Sequence, residues 1–112
     1  MNWGADLEVQ PEEAALRLTQ QPRPRLIDCR ELDEWHLCRI EGAELVPLSI
    51  FAEQAPRRLL ETEGDILVYC HHGMRSLHAV QWLRRQGYAG ARSLAGGIEA
   101  WSLRVDATVP RY

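Results

Sequence analysis

Ile66-Leu67-Val68-Tyr69 is the strongest strand signal in this chain: four consecutive apolar or β-favouring residues after a Gly64-Asp65 turn, running straight into Cys70. The segment Cys70-His71-His72-Gly73-Met74-Arg75-Ser76 leads directly into the best amphipathic helix, over residues 76–86. There Ala79, Val80 and Leu83 face one way, His78, Gln81 and Arg85 face the other, and Gly87 stops the pattern. A wholly apolar strand joined to a helix by so short a loop belongs in a mostly parallel sheet covered on both faces, an α/β arrangement.

The rest of the chain repeats the alternation. A short apolar stretch at 7–10 precedes Pro11, which opens a helix with Glu12 and Glu13 in its first turn and Ala14, Ala15 and Leu18 as its buried stripe. Pro22 and Pro24 end that helix, and a buried strand follows at 26–29. One helical turn is expected over 31–37, a strand over 43–46 closed by Pro47, and a helix over 49–62 interrupted near Pro56. The last strand spans 91–94; a Gly96-Gly97 turn, a short helix at 98–103 and an ordered surface strap from 104 to 112 complete the reading. A length of 112 residues suits one domain, 1–112. At this size roughly two-thirds of the unfolded surface is buried, enough for a core without covalent staples.

Composition removes several chemistries. A hydrophobic fraction of 46% with 26% charged residues excludes disordered and collagen-like classes. The net charge of −3 speaks against a nucleic-acid partner. All 13 basic residues are Arg, so neither a Schiff-base lysine nor a P-loop lysine is possible. The only Asn is Asn2, which removes a central Cys-His-Asn arrangement. No apolar run reaches the roughly 18 residues of a membrane span, and residues 1–6 lack the pattern of a signal peptide. The expectation is a cytoplasmic chain without membrane contact. Three cysteines, Cys29, Cys38 and Cys70, then read as reduced thiols.

Cys70 is the one placed for chemistry, because ligands bind beyond the carboxyl ends of parallel strands. A helix start offers unpaired N–H groups and the positive end of a dipole, which together lower a thiol's pKa. Gly73 lets successive amides turn inward as an anion nest, Arg75 adds a fixed positive charge, and Ser76 is expected to cap the helix.

At these residues the sequence resembles the rhodanese (thiosulfate sulfurtransferase) family in its single-domain form. Asp28-Cys29-Arg30-Glu31 with Glu34 is similar to the family's D-V-R-E…E segment, and Ile40-Glu41-Gly42-Ala43 to its I-P-G-A. Cys70, Gly73, Arg75 and Ser76 match its C-x-x-G-x-R-S, and Leu94-Ala95-Gly96-Gly97-Ile98-Glu99-Ala100-Trp101 its L-x-G-G-(I/M)-x-A-W. Two departures stand out: Cys38-Arg39 replaces a frequent Gly-His, and His71 stands where the family often has Arg or Lys.

The resemblance implies a three-layer domain with a mostly parallel five-stranded sheet and helices on both faces. It implies that Cys70 takes the outer sulfur of a donor such as thiosulfate, releases sulfite, and passes the sulfur from a persulfide to cyanide, a thiol or a sulfur-carrier protein. No metal or organic cofactor is implied. His71, His72, Gly73, Met74, Arg75 and Ser76 become the substrate-binding loop. The family's strand order brings Asp28 and Arg30 near it, as substrate contacts or as an ion-pair network beneath the site.

Among the remaining residues, Cys29 and Cys38 read as structural, His36 as a half-buried packing residue, and Trp35, Trp82 and Trp101 as core or core edge. His71 and His72 read as exposed imidazoles: adjacent side chains in a tight loop diverge, which disfavours a metal site with Cys70 and His78. Arg57-Arg58 and Arg84-Arg85 read as solvated faces. A cysteine phosphatase or arsenate reductase is the rival enzyme, since these also hold a thiolate in an anion loop. Four residues lie between Cys70 and Arg75, a tighter ring than the five those enzymes use for a tetrahedral oxyanion. A non-catalytic binding module is the third class; such domains usually lack the cysteine.

Overall fold

The computed structural model describes residues 6–59 and 64–112. Five strands, β1 (Glu8–Val9), β2 (Arg25–Asp28), β3 (Glu44–Leu45), β4 (Ile66–Tyr69) and β5 (Ala91–Leu94), form one sheet in the order β1-β5-β4-β2-β3. Every pairing is parallel. β4 is central and buried at all four positions, as its unbroken apolar run requires. Strand alternation then sorts the core. Ile27, Cys29, Val68 and Cys70 meet α3 (Phe51–Arg58) and α4 (Met74–Arg85) on one face. Leu26, Leu67, Tyr69 and Leu94 meet α1 (Pro11–Leu18) and α5 (Gly97–Arg104) on the other. Among the described residues, no helix is long and apolar enough to cross a membrane.

Three elements depart from the sequence reading. The 49–62 segment is a 3₁₀ turn at Leu48–Ile50 followed by α3, which runs through Pro56 without a break. Pro56 lies on the exposed side of that helix, where its ring does not disturb the core. The end of that expected helix, residues 60–62, falls outside the described residues. α2 (Leu32–Leu37) begins at a capping box between Glu31 and Glu34 and buries none of its side chains, so His36 is exposed rather than half-buried. The helix after Cys70 begins at Met74, two residues earlier than expected, and Ser76 sits inside its first turn instead of capping it.

Candidate active site

The early start of α4 has a local cause. Its N-cap is Gly73, at φ 101°, a conformation that other residues resist. Glycine has no side chain to accept the first-turn N–H groups, and the Cys70 sulfur takes that place. It accepts the amide of Gly73 at 3.1 Å and that of Ser76 at 3.3 Å. Ser76 Oγ stands 3.4 Å from the sulfur and 2.7 Å from Ser93 Oγ on β5. With the sulfur ionised, the Ser76 hydroxyl becomes a donor to it.

These donors outweigh burial. The Cys70 thiol is pushed down to about 4, first by the neighbouring Cys29 thiol, then by the Ser76 hydroxyl and the Ser76 and Gly73 amides, against the desolvation of a residue 1% exposed. Cys29, itself fully buried, has its own thiol pushed far up. Reading Cys29 as merely structural therefore missed a direct contact with the nucleophile. The contact comes from the register of two strands, which the structure supplies: Asp28 pairs with Tyr69, so the residue after each falls side by side.

Arg75 plays a different part from the one expected. Its guanidinium closes on the Glu34 carboxylate at 2.6 and 2.8 Å, which draws Glu34 down to about 2. Its charge reaches the thiolate only at longer range; its hydrogen bonds tie the loop to α2. His71 is half-buried rather than exposed, stacked on Tyr112 at 3.9 Å and 13°. Desolvation and the neighbouring His72 lower its pKa, so it adds little positive charge at neutral pH. His72 and Met74 are exposed at the rim. A cup of about 220 Å³ opens over Cys70, lined by His71, His72, Met74 and Arg75. A larger groove lies away from it, along α1, α2 and the C-terminal strap, and its lining includes neither Cys70 nor Arg75.

Asp28 and Arg30 do stand at the end of the strand beside β4, yet both side chains have no exposed surface. Arg30 grips Asp28 at 2.6 and 2.9 Å and donates to the Cys38 carbonyl at 2.6 Å. Its outer nitrogen reaches the Tyr112 hydroxyl at 2.9 Å, and that hydroxyl donates to Glu34 at 2.7 Å. Their link to the loop runs through this relay. The C-terminal strap reaches the site through Tyr112, which the sequence did not reveal. The Gly96-Gly97 turn also serves the loop. A Cβ on Gly97, at φ 64°, would lie 2.5 Å from the Cys70 carbonyl oxygen, so glycine is needed for the close approach. There the first turn of α5 donates from Ile98 to the Cys70 carbonyl at 2.8 Å and from Glu99 to that of His71 at 3.1 Å. Among the described residues, no group of three or more His, Cys, Asp or Glu is arranged to hold a metal ion.

A thiolate held by a strand–loop–helix turn in a five-stranded parallel sheet has a match among known families. Residues 10–104 match the rhodanese-like domain, and the chain belongs to that family. It is 38% identical over 90 residues to rhodanese-like/PpiC domain-containing protein 12 of Arabidopsis thaliana, a match covering 79% of this chain but 30% of that protein. It is 35% identical over 91 residues to the thiosulfate sulfurtransferase GlpE of Vibrio cholerae, covering 79% of this chain and 81% of GlpE. The human single-domain sulfurtransferase TSTD1 superposes with a TM-score of 0.74 at 29% identity, over 88% of this chain and 97% of that one.

Proposed function

We propose that this protein is a sulfurtransferase that moves a sulfane sulfur from a donor such as thiosulfate to a thiophilic acceptor through a Cys70 persulfide. The carrying observation is the Cys70 sulfur itself, held by the Gly73 and Ser76 amides at the base of a small cup. The thiolate attacks the outer sulfur of thiosulfate; a sulfur–sulfur bond forms to Cys70, the donor's sulfur–sulfur bond breaks, and sulfite departs with its electron pair. Cyanide, a thiol or a sulfur-carrier protein then attacks the outer sulfur and restores the thiolate. The Gly73 and Ser76 amides hold the inner sulfur throughout, and the remaining loop amides between His71 and Arg75 would face the outer one. Asp28 and Arg30 brace the loop from beneath. The similarity to named sulfurtransferases supports the reaction class. A thiolate that must stay reduced fits the cytoplasm.

Intact-mass measurement after thiosulfate treatment tests the reading. Wild type should gain one sulfur and return thiocyanate on addition of cyanide, while Cys70→Ser should do neither. A labile persulfide on Cys70→Ser would overturn the assignment. Aryl-phosphate hydrolysis as fast as sulfur transfer, and lost in Cys70→Ser, would favour the phosphatase class instead.

A further inference from the structure

We propose that Cys29 is a resolving thiol for Cys70, so that oxidation of the site by a hydroperoxide ends in a reversible Cys29–Cys70 disulfide. Placement carries this. β2 and β4 are adjacent and parallel, with Asp28 opposite Tyr69. The Cys29 amide donates to the Tyr69 carbonyl at 3.0 Å, which extends the register one residue past the ladder and sets Cys29 beside Cys70. Tyr69 points to the other face, where its hydroxyl meets the Ile40 amide, so Cys29 and Cys70 share the face toward α3 and α4. In-register neighbours stand about 4.8 Å apart. Disulfides span about 4.4–6.8 Å between Cα atoms, so the bridge needs no large backbone movement. The two sulfurs are close enough to shift each other's pKa, Cys70 down and Cys29 up. Cys38 is the third cysteine, and it lies in the core of the opposite face, with its sulfur 3.9 Å from Arg30.

The chemistry balances in two steps. The Cys70 thiolate attacks the outer oxygen of a hydroperoxide; a sulfur–oxygen bond forms, the peroxide bond breaks, and hydroxide or alkoxide leaves. Cys70 is oxidised by two electrons to a sulfenic acid, and the peroxide is reduced. The Cys29 sulfur then attacks the Cys70 sulfur, the sulfur–oxygen bond breaks, and the hydroxyl leaves as water with the Cys29 proton. The oxidant reaches Cys70 through the cup, which is lined by loop residues and does not include the buried Cys29. The disulfide removes the nucleophile, and a dithiol restores it. Loss of sulfur transfer on oxidation rests on the sulfurtransferase reading; the disulfide itself does not.

The test reads the bond and the activity separately. Reduced protein is treated with limiting hydrogen peroxide and its mass taken under denaturing, non-reducing conditions. Wild type should lose two hydrogens, yield one peptide pair joining Cys29 to Cys70, and recover both mass and sulfur transfer with dithiothreitol. Cys29→Val should gain two oxygens at Cys70 instead, with about a tenfold larger fraction that dithiothreitol fails to recover, each protein being scored against its own untreated sample. Cys38→Ser should follow wild type. A wild-type map showing Cys70 sulfinic acid without the link, or a link to Cys38, overturns the proposal even if Cys29→Val does not fold. Equal recovery of Cys29→Val and wild type also overturns it. A disulfide that forms in a protein with no sulfur transfer before treatment would leave this proposal standing and refute the sulfurtransferase reading.

Discussion

Two neighbouring strands end in buried charge, and they handle it in opposite ways. At the end of β2, Asp28 faces a full counter-charge: Arg30 at 2.6 Å, with both side chains wholly buried. At the end of β4, the lowered pKa of Cys70 favours the thiolate, and among the described residues its sulfur is held by a hydroxyl and two amides, with Cys29 beside it, rather than by a hydrogen-bonded cation. A formal ion pair in low dielectric is satisfied and inert, and its partners cannot separate without large cost. An anion held by dipoles keeps its lone pairs directed at whatever enters the cup. The first arrangement makes structure and the second makes a nucleophile, a few ångströms apart on one sheet.

The largest effect should come from breaking the pair. Arg30→Ala leaves Asp28 buried and uncompensated, which costs about 3–5 kcal/mol of stability. Thermal or urea unfolding checks this. Replacing both residues, as Asp28→Ala with Arg30→Ala, should cost less than the sum of the two single changes. An Arg30→Ala protein as stable as wild type would show that the pair is not the brace described here.

The thiolate end should answer to pH. Alkylation of Cys70 by limiting iodoacetamide should rise with pH about a midpoint near 4 and be flat at neutrality, while Cys29, fully buried with its thiol pushed far up, stays unlabelled. The same shift enters stability. The folded pKa lies below the unfolded one, so the unfolded chain binds more protons between them. The contribution is complete above the ordinary thiol range and is lost as pH falls through about 4. Cys70→Ser should flatten that slope. Similar labelling rates for all three cysteines in the folded protein would remove the distinction between the two strand ends.

How much of this contrast was legible in the sequence depends on the range of each contact. Cys70 and Gly73 could be read because strand, loop and helix are contiguous, and the chemistry of a helix start is local. Ser76 was misplaced by the start of α4, because nothing in the sequence shows that a sulfur, three residues before a glycine N-cap, takes the capping hydrogen bond. Arg75 with Glu34, Tyr112 with Arg30, and Cys29 with Cys70 join residues some forty to eighty positions apart. Those pairings follow from strand order and from the path of the C-terminal strap, which residue types alone do not encode.

Arg75 sharpens the comparison further. A loop arginine beside a thiolate reads as its counter-ion, but here its hydrogen bonds go to Glu34. Arg75→Ala should therefore move the alkylation midpoint by less than about one pH unit. It should lower stability by about 1 kcal/mol or less, the range for a partly exposed pair. A midpoint restored to the ordinary thiol range would mean that Cys70, like Asp28, depends on a formal cation.

The smallest expected effect concerns Ser93, which never touches the sulfur. Its hydroxyl lies 2.7 Å from Ser76 Oγ, and when Ser93 donates there, the Ser76 proton has two further acceptors in reach, the Gly73 carbonyl at 3.2 Å and the Cys70 sulfur at 3.4 Å. Ser93→Ala removes the neighbour that fills one side of the Ser76 oxygen, and the hydroxyl then divides more freely between those acceptors. The thiolate loses part of one donor, so the alkylation midpoint should rise by a few tenths of a pH unit at most. The rate at neutral pH should not change, because the sulfur is fully ionised on both sides of so small a shift. A buried hydrogen bond is lost as well, worth about 1 kcal/mol in stability. Stability and midpoint thus separate: the first falls measurably while the second barely moves. A rise of more than about one unit would mean that the hydroxyl chain from β5, and not the Cys29 thiol and the two amides, holds most of the charge.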